Sequence, residues 1–240
     1  MRKASASPRP LWLDLVLITF AAILFLVMIA LGTWQLQRLS WKQDLIAAVN
    51  ARAFGDAAVS PKGTVNADTH AYMRVYAEGE YLHDQSLEVK ALTELGGGKW
   101  LLTPLKTRDA IVWVNRGFLP SLAPDIMIDE PRGQIRVEGL LRITEPDGTL
   151  LEKNDPQNGL WFSRDVAAMS AAAGIDGYRP YFIDADHVGV ANAWPRGGLT
   201  ILKFRNSHLP YAITWYAMAA LFLGAIVYVL YLRVTNSILD

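Results

Sequence analysis

Two uncharged apolar blocks, one near each end, limit what this chain can fold into more than any other feature of its sequence. Residues 15–33 (LVLITFAAILFLVMIALGT) hold 16 apolar side chains in 19, and residues 211–232 (YAITWYAMAALFLGAIVYVLYL) hold 20 in 22. A helix rises about 1.5 Å per residue, so either block is long enough to cross a hydrocarbon layer ~30 Å thick. Lipid leaves backbone polar groups no partner but each other, so two spanning helices are expected. A cleaved signal peptide fits the first block poorly. Its apolar run is too long, and Trp34, Gln35, Leu36, Gln37 and Arg38 stand where the small residues of a cleavage site belong.

The basic flanks set the orientation. Residues 1–10 carry Arg2, Lys3 and Arg9 without an acid, and Arg233 follows the second block. Both ends are therefore expected in the cytoplasm and the middle outside it, although Arg38 and Lys42 oppose the bias locally. The layout read from this is a tail (1–11), a span (12–33), an outer domain (34–210, with 34–54 a helical extension), a second span (211–232) and a second tail (233–240). Only 19% of residues are charged, below the ~25% of soluble domains, as suits a membrane protein. The 23 basic and 23 acidic side chains cancel, so no nucleic-acid partner is expected, while lipid is. There is no cysteine. That excludes disulfides, thiolate metal sites, c-type haem attachment and cysteine nucleophiles, and it suits an oxidising compartment.

Helical periodicity continues past the first block. Trp34, Arg38, Trp41, Lys42 and Leu45 share one helix face, and the helix is expected to end near Phe54 and Gly55. The pattern then changes to period two, with strands predicted over 72–82, 87–92, 100–107, 110–118 and 134–143. The run IVWVNRGF (111–118) alternates only loosely, as a strand buried on both faces would. Gly96, Gly97 and Gly98 suggest a hairpin loop. Pro120, Pro124 and Pro131 mark a long connection. A short helix is predicted over 163–173, with Ser163 as its N-cap and Gly174 as its stop. Closing strands are expected at 181–183 and 199–205. The fold class is thus an α+β membrane protein: two transmembrane helices flank one antiparallel β-rich extracytoplasmic domain with a short helix.

Most candidate chemistry has a simpler structural reading. Gly97, Gly98 and Lys99 fail as a phosphate loop, because Thr93 stands where a glycine is required and Trp100 where Ser or Thr is. Asp184, Asp186 and His187 have no metal-site spacing and read as a solvated turn. No G-x-S-x-G is present, and the histidines sit in unrelated settings. Glu145, Asp147, Glu152 and Asp155 lie among turn-forming Pro and Gly residues; they are the reserve for a membrane-tethered enzyme. No catalytic residue is assigned.

His208 is different. It stands at the outer mouth of the second span, with Pro210 in first-turn position. In a helix it shares a face with Ala212, Trp215 and Ala219. A flat macrocycle fits a ligating imidazole above a small residue and a large aromatic, with His208 Nε2 toward an iron. Carboxylates on such a ligand suit Arg38, Lys42, Lys203 or Arg205. Against this, alanine-rich faces also pack helix on helix, and an interfacial histidine also serves as a polar tip.

Three blocks, LGTWQLQRLSWKQDLI (31–46), VNRGFLP (114–120) and HLPYAITWYAMA (208–219), occur in this order. They resemble the Surfeit locus protein 1 (Shy-type) family of cytochrome c oxidase assembly factors. Trp34, Gln35, Arg38, Trp41, Lys42, Arg116, Gly117, Tyr211 and Trp215 fall on the family's motifs, while Phe118 replaces a common tryptophan. The resemblance implies a non-enzymatic role in building the oxidase's first subunit, at haem a insertion. It implies His208 as the candidate haem ligand, and that subunit and haem a synthase as partners. A cofactor-free scaffold is the alternative. The short arginine-bearing tail, without a long Arg- and Ser-rich presequence, points to a bacterial inner-membrane protein with a periplasmic domain.

Overall fold

The apolar run at the N-terminus and the amphipathic stretch after it form one uninterrupted helix. In the computed structural model α1 spans Leu11–Ala53, 43 residues. The model describes residues 11–121, 126–149, 151–188 and 193–239, so the tail with Arg2, Lys3 and Arg9, and Pro124, lie outside the described residues. The C-terminal block lies in α4 (His208–Leu239). Both helices are long and apolar enough to cross a membrane. The chain divides into two units. One comprises residues 1–46 and 203–240, which hold the helix pair, and the other residues 47–202, the β domain.

The β domain begins with the last turns of α1, where Val49 and Ala53 are buried. It continues through β1 (Ala58–Val59), α2 (Ala67–His70), β2 (Arg74–Tyr81), β3 (Leu87–Thr93), β4 (Gly96–Thr107), β5 (Ile111–Pro120), β6 (Ile135–Ile143), α3 (Val166–Ala172) and β7 (Tyr178–Ala185). The sheet order is β1-β2-β6-β7-β5-β4-β3, and β4 also pairs with β2. That extra pairing closes β2, β6, β7, β5 and β4 into a ring. One edge of β4 serves two neighbours: residues 96–102 pair with β3, and Leu105, Lys106 and Thr107 pair with β2.

The sheet is mixed, not purely antiparallel as expected: β5 runs parallel to β7, and β1 parallel to β2. The reason is topological. A closed ring with an odd number of strands cannot alternate direction at every step, so one parallel pair is forced. The long connection through β6 and α3 makes that pair possible.

The ring has a core on each side of its wall. Val75, Tyr81, Leu105, Val112, Val114, Leu141, Tyr181 and Ile183 belong to one buried cluster. Leu102, Trp113, Phe182, Trp161, Met169 and Val166 belong to a second, which includes α3. Neighbours on β5 and β7 divide between the two clusters, as period-two geometry requires. Hence β5 is buried along nearly its whole length, as the loose alternation of IVWVNRGF suggested. The Trp113 indole donates to Ser170 Oγ (2.9 Å) and Ser170 donates to Val166 O (2.7 Å), fixing α3 to the wall.

Three local expectations are corrected. Residues 199–205 form no strand: β6 and β5 already occupy both edges of β7, and no ring edge is left for them. The N-cap of α3 is Asp165, which accepts from Ala168 N, because Ser163 is engaged elsewhere, donating to Glu145 O. The β3–β4 turn is Glu94-Leu95, and the three glycines begin β4. A side chain at Gly98 would strike Phe118 and the Leu119 carbonyl.

Candidate functional site

The residues singled out in the sequence fall into two places, each within one unit. In the helix pair, α1 and α4 are joined at three levels. His208 Nδ1 lies 2.8 Å from Gln35 Oε1. Thr33 Oγ1 and Tyr216 Oη are 3.0 Å apart. Arg233 pairs with Asp14 at 3.2 Å, at the other end of the helices. Gly32 is buried, and a Cβ there would come within 2.9 Å of the Tyr216 ring, so a small residue is needed for close approach.

His208 begins α4, and its backbone N–H donates to Asn206 Oδ1 (3.3 Å). Ala212 and Ala219, on the same face, are buried at 1% exposure each, and Trp215 is half-buried. His208, Ala212, Trp215 and Ala219 recur at the 4-3-4 spacing of a helix–helix seam, so two positions of the face are already covered. Trp34 and Trp41 are exposed, and the Arg38 guanidinium lies 4.3 Å over the Trp41 ring. Lys42 is partly covered, while Arg38, Lys203, Arg205 and Tyr211 are exposed.

The His208 contact has a chemical consequence. An amide oxygen only accepts, so Nδ1–H donates to Gln35; of the two neutral tautomers this contact selects the one with its lone pair on Nε2. A nitrogen in that state suits an iron, whose histidine ligands usually donate the other N–H to a carbonyl or carboxylate. The donor set therefore fits a haem group. Sequence reasoning listed Gln35 only as a motif residue. Its signal was an uncharged hydrogen-bonding side chain three residues after Gly32, on the apolar seam at the edge of the first block.

In the β domain, Arg116 and Gly117 lie inside β5, within the strand predicted over 110–118. The β4–β5 register shifts opposite them, leaving Arg116 as the extra residue of a bulge. Arg116 is buried at 8% exposure. Its guanidinium lies 4.9 Å over the Tyr81 ring, donates to Asp129 O, and comes within 3.5 Å of His83 Nδ1. Burial pushes the Tyr81 hydroxyl up to about 12, outweighing the opposite pull of Arg116. Tyr81 therefore stays neutral at physiological pH, and this contact is cation–π rather than ionic. Gly117 has φ +137° and lies against the Arg196 backbone, where Phe118 N–H donates to Arg196 O (2.8 Å) and Arg196 N–H donates back (3.0 Å). Phe118 is fully buried, edge-on to Trp100 at 5.8 Å.

Asp184 is not the solvated turn its spacing suggested. It is 7% exposed at the end of β7 and accepts from Asn115 Nδ2 (2.8 Å), Arg142 Nη1 (2.6 Å) and Thr200 Oγ1 (2.8 Å), with Arg164 Nη1 at 3.5 Å. Glu145 binds both Arg142 (3.3 Å) and Arg164 (2.7 Å). Two guanidiniums and two carboxylates thus cancel beside a cavity of about 460 Å³ lined by Tyr72, Trp100 and Ile201 as well. Asp186 instead pairs with Arg74. Glu152 pairs with Lys90, and Asp155 accepts from Asn158 in its own turn. Among the described residues no three His, Asp or Glu side chains gather into a metal site.

Residues 22–220 match the model of the SURF1 family. The chain belongs to that family. It is 31% identical over 210 residues to Surfeit locus protein 1 of Rattus norvegicus, covering 79% of this chain and 68% of that one. The human Surfeit locus protein 1 is also 31% identical, over 211 residues, covering 79% and 69%. A SURF1-like protein of Monosiga brevicollis is 31% identical over 215 residues, covering 82% and 81%. The match takes in all three sequence blocks, and so both the His208–Gln35 contact and the Arg116–Gly117 bulge of this SURF1 family member.

Proposed function

We propose that this SURF1 family chain is an assembly factor, not an enzyme, for a haem a-containing cytochrome c oxidase, aiding haem a insertion into the first oxidase subunit. The observation that carries this reading is His208 at the start of α4, with Nδ1 engaged by Gln35 and Nε2 left as a lone-pair donor. The cargo's iron supplies an acceptor for that nitrogen. His208 would hold it, the half-buried Trp215 would meet its flat body, and Arg38, Lys42, Lys203 and Arg205 would suit its carboxylates, whereas Ala212, expected on that face, is already buried. A hand-off site needs modest affinity, and one imidazole with few enclosing walls is consistent with that.

In this reading the two helices cross a bacterial inner membrane with both termini in the cytoplasm and the β domain in the periplasm. The partners are the oxidase's first subunit, haem a synthase and lipid. A second reading, a cofactor-free scaffold, is favoured by a specific observation: Ala212 and Ala219 are already buried, and Gly32 already receives Tyr216.

One pair of measurements separates the readings. Deleting the gene should lower the haem a absorbance of membranes while synthesis of the oxidase subunits continues. Purified His208→Ala protein should lose most of the haem that copurifies with the unaltered chain and shift the Soret band of the rest. Normal oxidase absorbance in the deletion strain would refute the assembly role. A colourless wild-type protein that still captures the subunit would select the scaffold.

A further inference from the structure

We propose that Gln35 is the positioning residue for His208: it holds the imidazole in the tautomer and ring orientation that leave Nε2 available to an iron. This inference rests on the reading of His208 as a haem ligand and adds to it a residue on the other helix. The separation is 2.8 Å, a full-strength hydrogen bond, and it joins residues 173 apart in sequence. A histidine free in its socket divides its proton between two nitrogens and turns about χ2. An acceptor fixed on the neighbouring helix removes both freedoms. Gln35 is itself held, since it lies half-buried one turn from Gly32, where Tyr216 packs. Thr33 and Tyr216 tie the same helices one level further in. A carbonyl accepting from Nδ1–H also raises the electron density at Nε2, which strengthens its bond to a metal.

The arrangement makes the ligand a property of the helix pair. His208 comes from α4 and its orienter from α1, so a change that parts the two helices frees the proton to move to Nε2. Ligation is then weakened without any change in His208 itself.

The test is a titration of the full-length, detergent-solubilised protein with ferric iron protoporphyrin IX, followed by absorbance and by electron paramagnetic resonance. Gln35→Met keeps the length of the side chain and removes the acceptor. It should weaken binding roughly 10- to 100-fold and move the Soret band and g values of the bound species toward a weaker axial ligand. Gln35→Glu accepts but cannot donate. It should retain binding, with g values displaced the opposite way by a more electron-rich imidazole. Circular dichroism of each variant checks that the helices persist. Wild-type affinity and g values in Gln35→Met, with His208→Ala impaired, would overturn the role of Gln35 alone. So would Gln35→Met lowering the amount bound while the g values of the bound species stay unchanged, since that is the mark of a helix clamp without an orienting effect. Identical titrations of His208→Ala and wild type would overturn the ligand assignment and this inference together.

Discussion

Asp184→Ala should destabilise the β domain by about 3–5 kcal/mol, the cost of breaking a buried ion pair by removing one partner. For a domain of this size that is a fall in melting temperature of roughly 6–20 °C. Asp184 is 7% exposed and accepts from Asn115, Arg142 and Thr200, with Arg164 close by. Its removal strands two guanidiniums that only Glu145 then neutralises. The cause can be separated from simple loss of packing. Combining Asp184→Leu with Arg142→Met, Arg164→Leu and Glu145→Gln replaces all four charges by neutral groups of similar bulk and should recover much of the loss. Thermal unfolding of the purified protein reads both. A shift under about 3 °C for Asp184→Ala would show that the cluster is hydrated and energetically slight.

Gly117→Ala should be nearly as damaging, at about 2–5 kcal/mol. Two costs add: a backbone at φ +137° that a side chain tolerates poorly, and a methyl group driven into the Arg196 main chain. Relief would require the segment carrying Arg196 to leave β5 and give up its two hydrogen bonds to Phe118. Gly96→Ala is the control, because Gly96 also has positive φ (+98°) but faces open space. It should carry the backbone cost alone. Equal unfolding midpoints for the two variants would mean that the Arg196 segment gives way freely and that the close approach matters little.

Features carried by local periodicity were legible in the sequence, and features made by distant partners were not. The two apolar helices, the continuation of α1 to Ala53 and the doubly buried β5 follow from local patterns. The parallel β5–β7 pair does not, because it depends on how many strands the ring contains. Leu199 and Ile201 alternate like a strand, yet they line a cavity, since every strand of the ring already has both edges paired. Asp184 read as a turn because its spacing was judged against its neighbours Asp186 and His187. Its actual partners Asn115 and Arg142 lie 69 and 42 residues away. At the candidate site the sequence singled out His208 by its position and the face it heads. Gln35 carried only a weak mark, a polar side chain on the apolar seam, because its significance is a contact between the first helix and the last.

The ion pair between Asp14 and Arg233 ties the helix pair at the end opposite His208. Two rods latched at both ends can part at one end only by pivoting about the other. If the His208–Gln35 and Thr33–Tyr216 latches both open, the gap between the rods is therefore a wedge, widest at the histidine and closed at the ion pair.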